Sequence, residues 1–140
     1  MVRRDPLPAD ILEKLPAAGR LLEAVPDVVF AYLFGGLARG APKPLSDVDI
    51  AVYLRDAARA ADAKQILFDS LTDALGTVEL DLIILNTASI SLVGRIIQGR
   101  KILVDKDPFI RHVFESAKLR EFFDFRIRED AFFERRFRNG

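Results

Sequence analysis

The fold of this chain is decided by residues 28–54, which read VVFAYLFGGLARGAPKPLSDVDIAVYL. The apolar run Val28–Phe34 predicts a buried strand, and Gly35-Gly36 predicts a tight turn at its end. Two prolines place residues 40–46 in a loop. Asp47–Leu54 then predicts a second strand. The unit is therefore a strand, a glycine turn, a loop and a strand.

The second strand carries its acids on one side. Residues two apart on a strand share a face, so Asp47 and Asp49 point the same way. The opposite, core-facing side is apolar and consists of Val48, Ile50, Val52 and Leu54. Two carboxylates on one rigid strand repel each other, and a divalent cation between them or a shared proton is the usual remedy.

The remaining segments alternate between helical and strand patterns. We expect helices over about 8–25, 56–75, 89–98 and 108–137, and strands over about 78–85 and 100–104. Pro16 and Gly19 are candidate breaks in the first helix, and the strand at 100–104 is a candidate edge strand. This order predicts an α/β (α+β) fold, with one mixed sheet covered by helices and a long C-terminal helix.

Length and composition set further expectations. The 140 residues predict a single domain, with a core over about 26–105 and a C-terminal helical segment over about 108–137. The absence of cysteine excludes disulfides and zinc–thiolate sites, and His112, the single histidine, excludes a multi-histidine metal site. A formal net charge of zero argues against nucleic acid as the main partner. We expect no signal peptide and no membrane span, and a cytoplasmic location.

A third acid stands out in the segment VELDLIIL at 78–85. Asp81 faces away from Leu80, Leu82 and Ile84, and a lone carboxylate in an apolar strand is costly unless it is paired or binds a metal. We therefore expect Asp81 to lie beside Asp47 and Asp49, as a site for Mg²⁺ or Mn²⁺. The alternative is that Asp47 caps a turn while the other two face solvent.

The glycine turn itself predicts an anion site. A strand followed by Gly35-Gly36 and a short helix presents backbone N–H groups that favour phosphate, and Arg39 would neutralise charge there or form a surface salt bridge. The motif is not a P-loop, because no Gly-Lys-Ser/Thr follows. The glycine spacing also excludes a dinucleotide fingerprint.

These motifs together resemble the polymerase-beta-like nucleotidyltransferase superfamily, and most closely its minimal (MNT) group. The resemblance is carried by Gly36–Gly40, by Ser46-Asp47-Val48-Asp49-Ile50 and by Glu79–Ile83, and it covers about 31–105. It implies Asp47, Asp49 and Asp81 as catalytic and metal-binding residues. It also implies Gly35, Gly36, Arg39 and Ser46 as nucleotide-binding residues. One position departs from the pattern, since Gly36 stands where the family has serine, and the lost hydroxyl predicts weaker nucleotide binding.

The resemblance also implies a function and a partner. MNT proteins are antitoxins paired with HEPN-domain toxins, so we expect Mg²⁺-dependent transfer of AMP from ATP to a tyrosine hydroxyl of such a partner. The alternative is an antitoxin that neutralises its partner by direct binding. Eight of the 11 phenylalanines follow residue 108. They predict either packing on the sheet or a protein-binding face, and a homo-oligomer is left open.

Overall fold

A mixed sheet and its covering helices make up the described part of the chain. The computed structural model describes residues 7–40 and 47–138. The strands are β1 (Val28–Phe34), β2 (Val48–Leu54), β3 (Leu80–Ile84) and β4 (Lys101–Asp105). The helices are α1 (Ile11–Ala24), α2 (Gly35–Ala38), α3 (Ala60–Leu75), α4 (Ile90–Gly99) and α5 (Pro108–Arg138), with a 3-10 turn at Ala57–Arg59 before α3.

The strand order is β3-β2-β1-β4. β1 runs antiparallel to both β2 and β4, whereas β2 and β3 are parallel. The predicted mixed sheet is therefore confirmed, and so is the position of β4 at an edge. The parallel pair requires a crossover, which the 3-10 turn and α3 provide.

Both faces of the sheet are covered, which explains the continuous apolar sequence of β1. On the first face, the even-numbered apolar residues of β2 are fully buried against α1 and α3. On the second face, Phe30 and Tyr32 of β1 and Ala51 of β2 are fully buried. They form a second cluster with residues of α4 and with Phe114 of α5. The acid-bearing side of β2 belongs to this second face.

Three features of the helices and strands differ from the prediction by more than a small shift of their ends. α1 runs unbroken through Pro16 and Gly19, because Ile11, Ala18 and Leu22 anchor it in the core. The first turn of the predicted helix at 56–75 is a 3-10 turn, capped by the Asp56 side chain. β3 begins at Leu80 rather than at residue 78. A turn occupies residues 77–80, held by hydrogen bonds from Glu79 N to Thr77 Oγ1 (3.1 Å) and from Leu80 N to the Val78 carbonyl (2.9 Å).

The long C-terminal helix is confirmed, but packing of its phenylalanines on the sheet, one of the two predicted alternatives, is wrong for most of those whose side chains are described. Only Phe114 and Phe122 are buried among those whose side chains are described. Phe109, Phe123, Phe132 and Phe133 are exposed. The outer half of α5 therefore presents aromatic side chains to solvent. Within residues 7–40 and 47–138, no helix combines the length and apolar character needed to cross a membrane.

Candidate active site

The glycine turn at the end of β1 is the first component of the candidate site. Gly35 has φ of +72°, and it opens the four-residue helix α2. Leu37 and Ala38 anchor that helix in the core. The turn closes with hydrogen bonds from Arg39 N to the Gly35 carbonyl and from Gly40 N to the Leu37 carbonyl, both 3.2 Å. A rigid backbone loop thus stands at one end of the sheet.

Asp49 lies directly against this turn. It pairs with Phe34 across the antiparallel ladder, immediately before the glycine. A Cβ placed on Gly35 would overlap the Asp49 carboxylate. Glycine is therefore required at the first position of the turn for two reasons. One is the positive φ, and the other is the space that the carboxylate occupies. The glycine pair in the sequence predicted the turn, whereas this contact is visible only in the structure.

The parallel pairing of β2 and β3 brings the second acid beside the first. Asp49 and Asp81 are direct register partners, so their side chains share one face of neighbouring strands. Asp47 immediately precedes β2, and Val48 N donates to the Glu79 carbonyl at 2.9 Å. Asp47 and Glu79 lie one position before β2 and β3, so two further acids stand at this end of the strand pair. We call these four acids the acid row. Glu79 was not among the predicted site residues, although its spacing of two from Asp81 is a signal that could have found it.

The chemistry of this row suits a hard divalent cation. Carboxylate oxygens are the ligands that Mg²⁺ prefers, and two register-paired acids place negative charge on one spot. Asp47 and Asp49 are half-buried, whereas Asp81 is exposed on the edge strand β3. In the described part of the chain, no three His, Cys, Asp or Glu side chains are grouped as a complete metal site. The donors thus fit a cation by type, as one register-paired acid pair with two further acids at the same end of the two strands.

The remaining predicted residues lie at or near the glycine turn or outside the described residues. Gly36 lies inside α2, next to Gly35. Arg39 follows α2 and is exposed, so its guanidinium faces solvent at the mouth of the turn. Ser46 lies outside the described residues. Cation binding by the three aspartates and nucleotide binding by the residues of the turn, by Arg39 and by Ser46 stay predictions.

Sequence reasoning missed a buried polar cluster below the site. Tyr32 Oη donates to Glu115 Oε2 at 2.8 Å, and Arg100 Nε donates to the same oxygen at 2.7 Å. Arg111 Nη1 donates to Glu115 Oε1 at 2.7 Å, and Arg111 Nε donates to Asp105 Oδ2 at 2.9 Å. The i, i+4 spacing of Arg111 and Glu115 is the signal that sequence offers. The cluster ties α5 to β1, two residues before Phe34.

Within this cluster the pKa of Tyr32 is raised and the pKa of Glu115 is lowered. Burial raises the pKa of Tyr32 far above its ordinary value, and the adjacent Glu115 carboxylate raises it further. Burial would also raise the pKa of Glu115. The hydrogen bonds from Arg100 and Tyr32, together with the positive charge of Arg100 and Arg111, outweigh that effect and hold the pKa below its ordinary value. Glu115 is therefore a buried anion, and Tyr32 is a neutral donor to it.

Comparisons with known proteins agree with this geometry. The family model described as "Polymerase beta, Nucleotidyltransferase" matches residues 19–109, which include all four strands and the glycine turn. No curated protein sequence matches the chain significantly. Among solved structures, a toxin–antitoxin with AMP-PNP is 24% identical, covering 87% of this chain and 94% of its own, with a TM-score of 0.70.

Two further structures are similar at the same level. The toxin–antitoxin MntA–HepT is 23% identical over 88% of this chain and 96% of its own, with a TM-score of 0.68. A tri-AMPylated Shewanella oneidensis HEPN toxin in complex with MNT antitoxin is 22% identical over 89% and 96%, with a TM-score of 0.69. The family match spans the sheet, the turn and both acid-bearing strands. The chain therefore belongs to the polymerase beta nucleotidyltransferase family and has the fold of its MNT members.

Proposed function

We propose that this nucleotidyltransferase acts as an antitoxin by transferring AMP from ATP to a tyrosine hydroxyl of a HEPN-domain toxin. The observation that carries the proposal is the position of Asp49, between the Gly35 turn and its register partner Asp81. This arrangement sets acidic oxygens beside backbone N–H donors in a chain of the right family. The partner and the nucleotide are suggested by the toxin–antitoxin structures that share the fold.

In this proposal three acids are assigned to the cation, and the glycine turn is assigned to the nucleotide. Asp47 and Asp49 would hold Mg²⁺, with Asp81 as the third ligand. The bound cation would offset phosphate charge and lower the pKa of the attacking hydroxyl. The backbone N–H groups of Gly35 and Gly36 donate to phosphate oxygens, and Arg39 adds positive charge at the exposed side of the turn.

The acceptor hydroxyl reaches the row from the open edge of the sheet. Asp81 is exposed there on β3, so it is placed to accept the hydroxyl proton. The hydroxyl oxygen forms a bond to the α-phosphorus. The bond from that phosphorus to the bridging oxygen breaks, and pyrophosphate leaves with its electron pair.

The first experiment is calorimetric titration of Mg²⁺·ATP into the purified chain, with Asp47→Asn and Asp81→Asn beside it. We expect metal-dependent binding in the unaltered chain and its loss in Asp47→Asn, because one anionic ligand is removed. Equal binding by the unaltered chain and by Asp47→Asn would contradict the assignment of Asp47. Mass spectrometry of a co-expressed HEPN partner then tests transfer. If the chain binds ATP but the partner stays unmodified, a tyrosine of that partner is excluded as the acceptor.

A second candidate function is neutralisation of the toxin by contact alone. It is favoured by Gly36, which lacks the hydroxyl of the family's serine, and by the exposed aromatic side chains of α5. The two candidates are separated by Asp49→Ala in a growth assay with the toxin. Loss of neutralisation supports catalysis, whereas full neutralisation supports contact.

A further inference from the structure

The outer half of α5 carries a regular pattern that the nucleotidyltransferase site does not explain. α5 is 31 residues long, so it extends about 46 Å at 1.5 Å per residue. The ring of Phe122 lies over Gly94 of α4, and beyond this contact the side chains of α5 are largely exposed. Phe132 retains 59% of its accessible surface. Large apolar side chains are thus exposed on the outer half of a helix whose first half packs against α4 and the sheet.

One side of this helix segment has an ordered composition. Positions i, i+4, i+7, i+8, i+11 and i+15 fall on the same side of an α-helix. Starting from residue 121, the first three of these positions carry an acid, an aromatic residue and an arginine. The next three carry the same residue types in the same order. The six residues are Glu121, Phe125, Arg128, Glu129, Phe132 and Arg136. Phe125 is half-buried and the other five are exposed. We call these six residues the dyad face.

The dyad face is complementary to itself when a second copy runs in the opposite direction. A two-fold axis between Arg128 and Glu129 maps Glu121 onto Arg136 and Phe125 onto Phe132. It also maps Arg128 onto Glu129, so each acid meets an arginine and each aromatic ring meets another. Isologous dimers require such self-complementarity about the axis. A parallel copy in register would instead place like charges opposite each other.

We propose that the dyad face is a homodimer interface in which two α5 helices pack antiparallel. A zero formal net charge leaves no overall repulsion between copies. A cleft of about 450 Å³ lies beside this face, lined by Phe122, Phe125 and Arg126 of α5 together with Arg95 and Gln98 of α4. This cleft leaves space along α5 for a neighbouring helix.

The test is sedimentation equilibrium of the purified full chain, over micromolar to hundreds of micromolar concentrations. We expect a monomer–dimer equilibrium, and at least about a hundredfold weaker association in Phe132→Asp, because the two-fold axis places two charges in the apolar contact. Phe123→Asp is the matched control. Phe123 is also exposed but lies outside the dyad face, so its dimer should persist. Circular dichroism checks that each variant keeps its helix content.

Charge exchange tests the direction of the helices. Glu121→Arg alone and Arg136→Glu alone each create two like-charge pairs, and each should weaken the dimer about tenfold. The double variant restores both pairs and should recover the original constant. Failure of the double variant to recover would overturn the antiparallel pairing.

Two other outcomes would overturn the homodimer. A chain that is monomeric throughout the concentration range excludes a second copy as the occupant. If such a monomer bound a HEPN partner and Phe132→Asp lost that binding, the face would belong to the partner instead. The inference is independent of the proposed function, because sedimentation measures mass alone and requires neither ATP nor toxin.

Discussion

Gly35 shows how a single residue can shape a candidate active site. Its φ is +72°, and its missing Cβ leaves the space that the Asp49 carboxylate fills. We expect Gly35→Ala to displace that carboxylate and to reduce Mg²⁺·ATP affinity at least tenfold, because the acid row and the turn can no longer lie together. Calorimetric titration measures the change.

Gly40→Ala is the matched control for this substitution. Gly40 has nearly the same φ, +70°, but an added Cβ would meet no atom within 4 Å among the described residues. Both variants therefore lose about 1 kcal/mol of stability to the left-handed backbone conformation. Only Gly35→Ala also moves the carboxylate. Equal affinities in the two variants would contradict the proposed contact.

Glu115 is the residue on which the buried polar cluster depends. Glu115→Gln keeps the shape of the side chain but leaves Arg100 and Arg111 without their shared anion, and we expect a loss of about 3 kcal/mol in the free energy of unfolding. Urea denaturation measures this loss. Glu134→Gln, on the exposed part of the same helix, should change stability by less than about 0.5 kcal/mol. A similar loss in both variants would indicate a general effect of charge on the helix.

The same carboxyl predicts a pH dependence with a definite sign. The pKa of Glu115 is lowered in the folded chain, so the unfolded state takes up its proton first as the pH falls. The stabilisation is therefore complete above the ordinary glutamate pKa of about 4.3, and it is lost as the pH falls through the lower, folded pKa. We expect the urea midpoint of the unaltered chain to fall more steeply below about pH 4.3 than that of Glu115→Gln. Parallel pH profiles would contradict this contribution.

At the scale of elements, the packing of α4 on α5 depends on a helical glycine. A Cβ at Gly94 would overlap the ring of Phe122, whereas one at Gly99 would meet nothing within 4 Å among the described residues. Alanine normally stabilises a helix by about 1 kcal/mol relative to glycine. We expect Gly94→Ala to destabilise the chain by about 1–3 kcal/mol despite this preference, because the ring must move.

Thermal unfolding of Gly94→Ala and Gly99→Ala separates packing from propensity. Gly94 lies inside α4 and Gly99 is its last residue, so the gain in helix preference should be at least as large at Gly94. A fall in Tm for Gly94→Ala together with an unchanged or higher Tm for Gly99→Ala is the expected result. An equal shift in both would exclude the Phe122 contact as the cause.

Elements were predictable where local pattern and burial agree. β1 matches its predicted bounds, since it is apolar and both faces of the sheet cover it. The left-handed cap at Gly76, with φ of +69°, follows from the glycine in the sequence. The candidate break at Pro16 does not occur, because tertiary packing of α1 outweighs the lost hydrogen bond. The sequence left open whether Phe132 is buried or exposed, since it does not reveal where the sheet ends beneath a long helix.

At the scale of the whole molecule, strand order decides which acids meet. The period of two places Asp47 and Asp49 on one face, but their neighbour is set by the parallel pairing of β2 with β3. That pairing is a long-range property, and sequence reasoning could only infer it from the cost of an isolated Asp81. The contact of Gly35 with Asp49 likewise depends on the antiparallel register of β1 and β2.

The acid pair also predicts a conflict between stability and function. Like charges directly opposite each other on neighbouring strands destabilise a sheet by up to about 1 kcal/mol. Asp81→Asn removes one of the two charges from an exposed position, so we expect the Tm of the metal-free chain to rise by about 2–4 °C. Differential scanning calorimetry in the presence of a chelator measures this rise.

Addition of Mg²⁺·ATP should reverse the order of the two proteins. A ligand that binds only the folded chain raises its stability by mass action, about 2.7 kcal/mol at a concentration of 100 Kd. The unaltered chain should gain this stabilisation, whereas Asp81→Asn should gain little, because it lacks one anionic oxygen donor. Lys64→Met, on the exposed face of α3, is the control for removal of a surface charge, and its response to ligand should be that of the unaltered chain. If Asp81→Asn were less stable than the unaltered chain in chelator, its carboxylate would contribute to the fold rather than to a repulsive acid pair.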